Sequence, residues 1–159
     1  MSRIAIITGG AQGMGAATAR RFKADGFRGV VLVDRNAEGL AAVAASLGPG
    51  FAATLQADLR DDGVGEKAVG LALDRFGTVD VLANVAANSE RCGVDDTTPE
   101  AFHRIFDTNV KGPLLLMQAA GKVMKAKGEG VVVNISSMLA YGGPPTIGTY
   151  AASKAAAEH

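Results

Sequence analysis

Five short β-branched runs, Arg3–Thr8, Val30–Val33, Phe51–Ala57, Val79–Val85 and Val131–Ser136, alternate along this chain with stretches of helical spacing. Such alternation predicts parallel strands joined by helical crossovers: an α/β fold with a doubly wound parallel sheet and helices on both faces. The runs are apolar at successive positions rather than at every second one, as strands covered on both faces should be. Helices are expected over Gly13–Asp25, Ala37–Leu47, Asp61–Phe76 and Pro99–Lys127, with a last one starting near Thr149. Thr98-Pro99 has the form of an N-cap followed by proline in the first helical position. The length of 159 residues suits one domain, residues 1–159, and no linker or repeat divides it.

Thr8-Gly9-Gly10-Ala11-Gln12-Gly13-Met14-Gly15 ends the first strand and opens the first helix. Gly9 would allow a sharp turn, Gly13 a close approach of backbone to a pyrophosphate, and Gly15 close packing of helix on strand. The helix N-terminus then offers unpaired N–H groups and partial positive charge to phosphate oxygens. The spacing is G-x-x-x-G-x-G rather than G-x-G-x-x-G, and taken alone it is equally a glycine-rich turn without a ligand. Its place between strand and helix favours the phosphate reading. Asp34 ends the second strand, 19 residues after Gly15, where an acid can bond both ribose hydroxyls of an adenosine. The same carboxylate would repel the additional phosphate of NADP. Arg35 offsets this in part, but Gly10–Gln12 brings no second basic group, so NAD is preferred over NADP. Asp58 admits two readings, an acceptor for an adenine amino group or a cap for the helix that follows.

Near the other end stands Tyr150-Ala-Ala-Ser-Lys154. A Tyr and a Lys four apart on a helix share one face. A phenol ordinarily loses its proton near pH ~10, and an ammonium fixed beside it favours the phenolate. The pair reads as a tuned proton donor or acceptor. Asn109 lies four residues before Pro113. Proline lacks an N–H and crowds the carbonyl four residues back, so Lys111-Gly112-Pro113 predicts a kink that frees the Asn109 carbonyl to hold a water. A kink made for packing alone is the competing reading.

Sixteen basic and 16 acidic residues cancel, and no basic patch argues for nucleic acid. No run approaches the ~18 apolar residues of a membrane span. Ile4–Ile7 is too short for a signal-peptide core. Cys92 is the only cysteine, which excludes an internal disulfide and a cysteine zinc site. His103 and His159 do not cluster, so no metal site is expected. A soluble cytoplasmic protein acting on a small molecule, with no membrane partner, is the expectation.

With these residues in view, the chain resembles the short-chain dehydrogenase/reductase family. The resemblance rests on Thr8–Gly15, Asp34, Asp58-Leu59, Asn84–Ala87, Asn109, Ser137, Tyr150 and Lys154, and runs from Arg3 to the last residue. It implies a Rossmann-like NAD(P)-binding fold and hydride transfer between the cofactor and an alcohol or carbonyl carbon. Tyr150 would give or take the proton. Lys154 would hold the phenolate and bond the nicotinamide ribose. Ser137, 13 residues before Tyr150, would bind the substrate oxygen. Asn109 would hold the relay water on its backbone. Gly9, Gly13, Met14, Gly15, Asp34, Arg35, Asp58, Leu59, Asn84 and Ala86 would contact the cofactor together with Tyr150 and Lys154. Ser136, facing the opposite side, reads as an ordinary strand-end hydroxyl. The family's Asn-Asn-Ala-Gly stands here as Asn84-Val85-Ala86-Ala87, and Ala87 in place of Gly should narrow the cofactor's approach.

The resemblance further implies strands and helices beyond the fifth strand that this sequence lacks, so the fold is expected to be truncated there. Val131–Ser136 would then be an exposed edge, apolar on both faces. Homo-oligomers are implied for the full-length form. A non-catalytic fragment that keeps only the adenosine site is the alternative. A methyltransferase with a similar glycine loop is disfavoured, because it would not need Ser137, Tyr150 and Lys154.

Overall fold

The computed structural model describes residues 3–158. Five parallel strands, β1 (Ile4–Thr8), β2 (Gly29–Asp34), β3 (Ala52–Gln56), β4 (Val81–Asn84) and β5 (Val131–Asn134), lie in the order β3-β2-β1-β4-β5. Five α-helices connect them, α1 (Gly13–Ala24), α2 (Ala37–Leu47), α3 (Val64–Phe76), α4 (Pro99–Phe106) and α5 (Gly112–Lys127), and α6 (Gly148–Ala156) follows β5. The order reverses between β1 and β4, and their carboxyl ends define the crevice where such sheets bind ligands.

Every residue of β1 and β4 is buried, as their continuous apolar runs require. Alternation splits those side chains between two cores. Ile6, Val31, Val33 and Leu82 meet Val64 and Ala68 of α3 and Leu116 and Ala120 of α5. Ala5, Ile7, Val30 and Leu32 meet Ala16 and Ala19 of α1 and Leu40 and Val43 of α2. The predicted exposed edge is present: Val131 of β5 is 51% exposed, and Val132 and Val133 are exposed as well.

The Thr98 cap acts where the sequence placed it, and the structure adds a second at Asn36. Thr98 accepts from the Ala101 N–H ahead of Pro99, and Asn36 accepts from the Gly39 N–H at the start of α2. Most strand ends shift by a residue or two, and three differences have a visible cause. α3 starts at Val64, not Asp61, because the Asp58 carbonyl accepts from the Asp61 N–H and the Asp61 carbonyl from the Val64 N–H, forming a turn first. β5 ends at Asn134, and Ser137 begins a 3-10 turn, Met138–Tyr141, by accepting from the Leu139 N–H. The stretch Pro99–Lys127 is broken by a π turn at Asp107–Lys111, in which the Gly112 N–H donates to the carbonyl of Asp107, five residues back. The kink expected from Pro113 therefore takes the form of one inserted π turn. His159 lies outside the described residues.

Candidate active site

The carboxyl ends of β1, β2, β3 and β4 surround a cleft of about 750 Å³, within the size range of ligand sites. Its wall includes Gly9, Gly13, Met14, Gly15, Asp34, Arg35, Asp58, Leu59 and Ala86, so these sequence-predicted residues come together in one place. The glycine loop explains how. Gly9 and Gly13 have φ of +69° and +52°, a region in which glycine alone is unstrained. A Cβ on Gly9 would come within 3.1 Å of the Ala86 backbone, whereas one on Gly13 would meet nothing within 4 Å. Gly13 thus opens onto free space in the cleft. A Cβ on Gly15 would overlap the Gly9 carbonyl, so its packing partner is the loop itself. The result is a backbone cradle at the start of α1, and the donor set suits a dinucleotide pyrophosphate.

Thr8 holds the cradle to β4. Its buried hydroxyl accepts from the N–H groups of Val85 at 2.9 Å and Ala86 at 3.1 Å. Sequence reading passed over this role, since the partners lie 77 and 78 residues away. The Asp34 carboxylate accepts from the Ala11 N–H at 3.1 Å and the Asn36 N–H at 3.0 Å, which fixes it at the cleft's edge. Arg35 beside it is exposed.

Asp58 caps no helix: the residue before α3 is Gly63, and that helix has no side-chain cap. The Asp58 carboxylate instead accepts from the Arg60 backbone and pairs with its guanidinium at 2.6 Å. Hydrogen bonding from Arg60 holds the carboxyl below the usual carboxylate range. The capping half of the sequence alternative is thereby corrected. Asn84 is buried outside the cleft and joins β4 to β5, its Nδ2 donating to Asn134 Oδ1 at 2.8 Å. Its own Oδ1 has no partner among the described residues.

Asn109, Ser137, Tyr150 and Lys154 stand apart from the lining of that cleft. Asn109 is 2% exposed. Its side chain clamps the Asn88 backbone, accepting from the N–H at 2.7 Å and donating to the carbonyl at 2.9 Å. Tyr150 and Lys154 share a face of α6, with the Lys154 nitrogen 5.9 Å from the phenol ring centre. That nitrogen, on a residue 4% exposed, donates to the Ile135 carbonyl at 2.6 Å. Burial, with no carboxylate to offset it, lowers the Lys154 pKa. Ser136 is not an idle strand-end hydroxyl, because it bonds the Glu158 carboxylate. Cys92 is buried with Ala101 and Ile105, and His103 is exposed on α4.

Comparison with known proteins decides the family. A sequence profile of short chain dehydrogenases matches residues 3–159. The chain belongs to the short-chain dehydrogenase family. It is 37% identical over 155 residues to a sorbitol dehydrogenase of Cereibacter sphaeroides, covering 97% of this chain and 60% of that protein. It is 33% identical to a galactitol 2-dehydrogenase of Agrobacterium fabrum, covering 98% of this chain and 60% of the relative. The crystal structure of a short-chain dehydrogenase from Streptomyces avermitilis superposes with a TM-score of 0.91 at 31% identity, covering 99% of this chain and 57% of the other. The chain thus spans about 60% of the length of the curated relatives it matches.

Proposed function

We propose that this short-chain dehydrogenase chain, a single nucleotide-binding domain, serves an oxidoreductase that moves a hydride between NAD and an alcohol or ketone carbon. The observation that carries this reading is the glycine cradle at the β1–β4 switch point, with Tyr150 and Lys154 sharing one face of α6. Backbone N–H groups near Gly13–Gly15 would hold the pyrophosphate. Asp34 would bond the ribose hydroxyls, and its charge disfavours a 2′-phosphate, which selects NAD over NADP. Asp58 would accept from the adenine amino group once Arg60 yields part of its carboxylate. Met14, Leu59, Ala86 and Arg35 would line the bound nucleotide, with Asn84 keeping β4 and β5 in register behind it.

When bound, the nicotinamide supplies or accepts the hydride. In oxidation the alcohol oxygen gives its proton to the Tyr150 oxygen, and in reduction the carbonyl oxygen takes it back. Ser137 would donate to that oxygen. Lys154 would favour the phenolate electrostatically, and the Asn109 backbone would hold a relay water. The test is to incubate the chain with NAD and a panel of secondary alcohols and follow absorbance of the reduced cofactor. Turnover lost in Tyr150→Phe supports the assignment, and turnover retained in that variant contradicts it. One observation favours a second reading, nucleotide binding without turnover: Lys154 is engaged by the Ile135 carbonyl, and Ser137 and Tyr150 do not line the cleft. NAD binding with no turnover of any alcohol would support it.

A further inference from the structure

We propose that Ser153 is a positioning residue, whose hydroxyl ties the helix bearing Tyr150 and Lys154 to the loop that borders the cofactor cleft. This rests on the oxidoreductase reading of that site. Ser153 lies on α6 directly before Lys154 and is 0% exposed. It joins a chain of hydrogen bonds across three segments that are far apart in sequence. The Asn88 N–H donates to Asn109 Oδ1, and Asn109 Nδ2 donates back to the Asn88 carbonyl. The same Nδ2 donates to Ser153 Oγ at 2.9 Å, and the Ser153 hydroxyl donates to the Tyr150 carbonyl at 2.7 Å.

The donors and acceptors close without remainder. A hydroxyl has one proton and two lone pairs. With the proton on the Tyr150 carbonyl, a lone pair is left for the Asn109 amide. Turning that amide over would set its NH2 against the Asn88 N–H, so the network fixes its orientation. Both amide protons and the amide oxygen of Asn109 are in use. Removing the Ser153 oxygen orphans one of those protons in a dry site, and a buried unmet donor is costly.

Each end of this bridge matters for the site. Asn88 lines the cleft, and its side chain accepts from the Glu90 N–H. Glu90 is in turn gripped by Arg104 of α4 at 2.7 Å and 3.2 Å. At the far end, α6 has nine residues, too few to stand as a helix unaided. Other bonds also hold it: Thr149 to the Thr97 hydroxyl, and Lys154 to the Ile135 carbonyl. The Thr149 bonds, to the Thr97 hydroxyl and from its N–H to the Cys92 carbonyl, reach the far part of the same loop, and Lys154 reaches the residue after β5. The Ser153 bridge sets its rotation relative to the cleft, and that rotation decides where the Tyr150 oxygen and the Lys154 nitrogen point. A shift of the Asn88 loop at the cleft is thus passed through Asn109 to the catalytic face.

The experiment compares wild type, Ser153→Ala and a control, Ala156→Gly, which changes an exposed residue of the same helix. Amide hydrogen exchange is read residue by residue. Ser153→Ala is expected to speed exchange at Asn88 about tenfold, the scale of one lost buried hydrogen bond, while β1 and β2 keep their protection. Ala156→Gly is expected to loosen α6 and leave Asn88 at its wild-type rate. Wild-type exchange at Asn88 in Ser153→Ala overturns the proposal, as does equal loosening of Asn88 by the control. If Ser153→Ala does not fold, Ser153→Cys keeps a weaker acceptor, and an unchanged Asn88 rate in it is equally contrary. In steady-state kinetics, Ser153→Ala is expected to lower kcat about tenfold with KM for NAD within about twofold. A raised KM with kcat intact overturns it. A wild type that turns over no alcohol sinks the oxidoreductase reading, and the exchange experiment still decides the role of Ser153.

Discussion

Replacing Thr8 with valine keeps the shape of the side chain and removes one oxygen. In the wild-type chain that oxygen accepts from two backbone N–H groups, Val85 at 2.9 Å and Ala86 at 3.1 Å, at a residue 0% exposed. Valine offers neither N–H an acceptor. Each orphaned buried donor costs about 1–3 kcal/mol, so Thr8→Val should lose roughly 2–6 kcal/mol, a large share of the ~5–15 kcal/mol that stabilises a typical domain. Thr8→Ser makes the opposite change. It keeps the oxygen and deletes a buried methyl, at a cost of about 1 kcal/mol. A loss of 1 kcal/mol lowers Tm by roughly 2–4 °C at this chain length. Thr8→Val should therefore melt several degrees below Thr8→Ser, with both unfolding cooperatively in calorimetry. Because Ala86 also borders the cradle, Thr8→Val should weaken binding of 5′-AMP more than Thr8→Ser does. A valine variant that melts with wild type, or a serine variant that falls as far as valine, would refute the reasoning.

Other substitutions test separate parts of the account. Gly15→Ala drives a Cβ into the Gly9 carbonyl, while Gly13→Ala meets only its positive φ. Overpacking against backbone costs at least the usual 1–3 kcal/mol, and the φ strain about 1 kcal/mol. Urea unfolding should rank Gly15→Ala well below Gly13→Ala, and calorimetry should find both poor at binding NAD. Asp80 is desolvated, which raises its pKa. Hydrogen bonds from Lys127 and the Ile4 N–H outweigh that and leave it lowered. A lowered folded-state pKa gives stability that is present above the unfolded value near pH ~3.9 and lost as pH falls through the folded value. Asp80→Asn should thus be less stable at neutral pH and show a shallower acid loss in urea unfolding followed from pH 7 downward. Lys154→Met removes a buried ammonium whose pKa burial lowers. It should hold or raise Tm while ending turnover, as expected where a site costs stability.

Much of this was legible in the sequence, for physical reasons. The strands of a parallel sheet are covered on both faces, so Ile4–Thr8 and Val30–Val33 announce themselves as unbroken apolar runs. The cap at Thr98 and the three glycines of the cradle act within a few residues of where they stand. Pro113 told that the long helix must break near Asn109, because a missing N–H is a local fact. It did not tell that the break would be a π turn, which depends on how α4 and α5 both find their partners. Asp58 stood open between an adenine acceptor and a cap because only its distance from the helix was visible, and the Arg60 pair that holds it in a turn was not. The Thr8, Asn109 and Ser153 bonds join residues 21 to 78 positions apart. No periodicity encodes such pairs. The hold on Lys154 is of the same kind, since its partner is the Ile135 carbonyl, just after β5.

The central claim is that a nicotinamide dinucleotide lies across the β1–β4 switch point with its adenosine between Gly13, Asp34 and Asp58. An NMR titration of the chain with NAD tests this most directly, residue by residue. The account predicts saturable amide shifts at Gly9–Gly15, Asp34-Arg35, Asp58-Leu59 and Ala86–Asn88, with α2 and the start of β3 unmoved. Saturation with shifts elsewhere, or no shift at these positions at millimolar NAD, would contradict it.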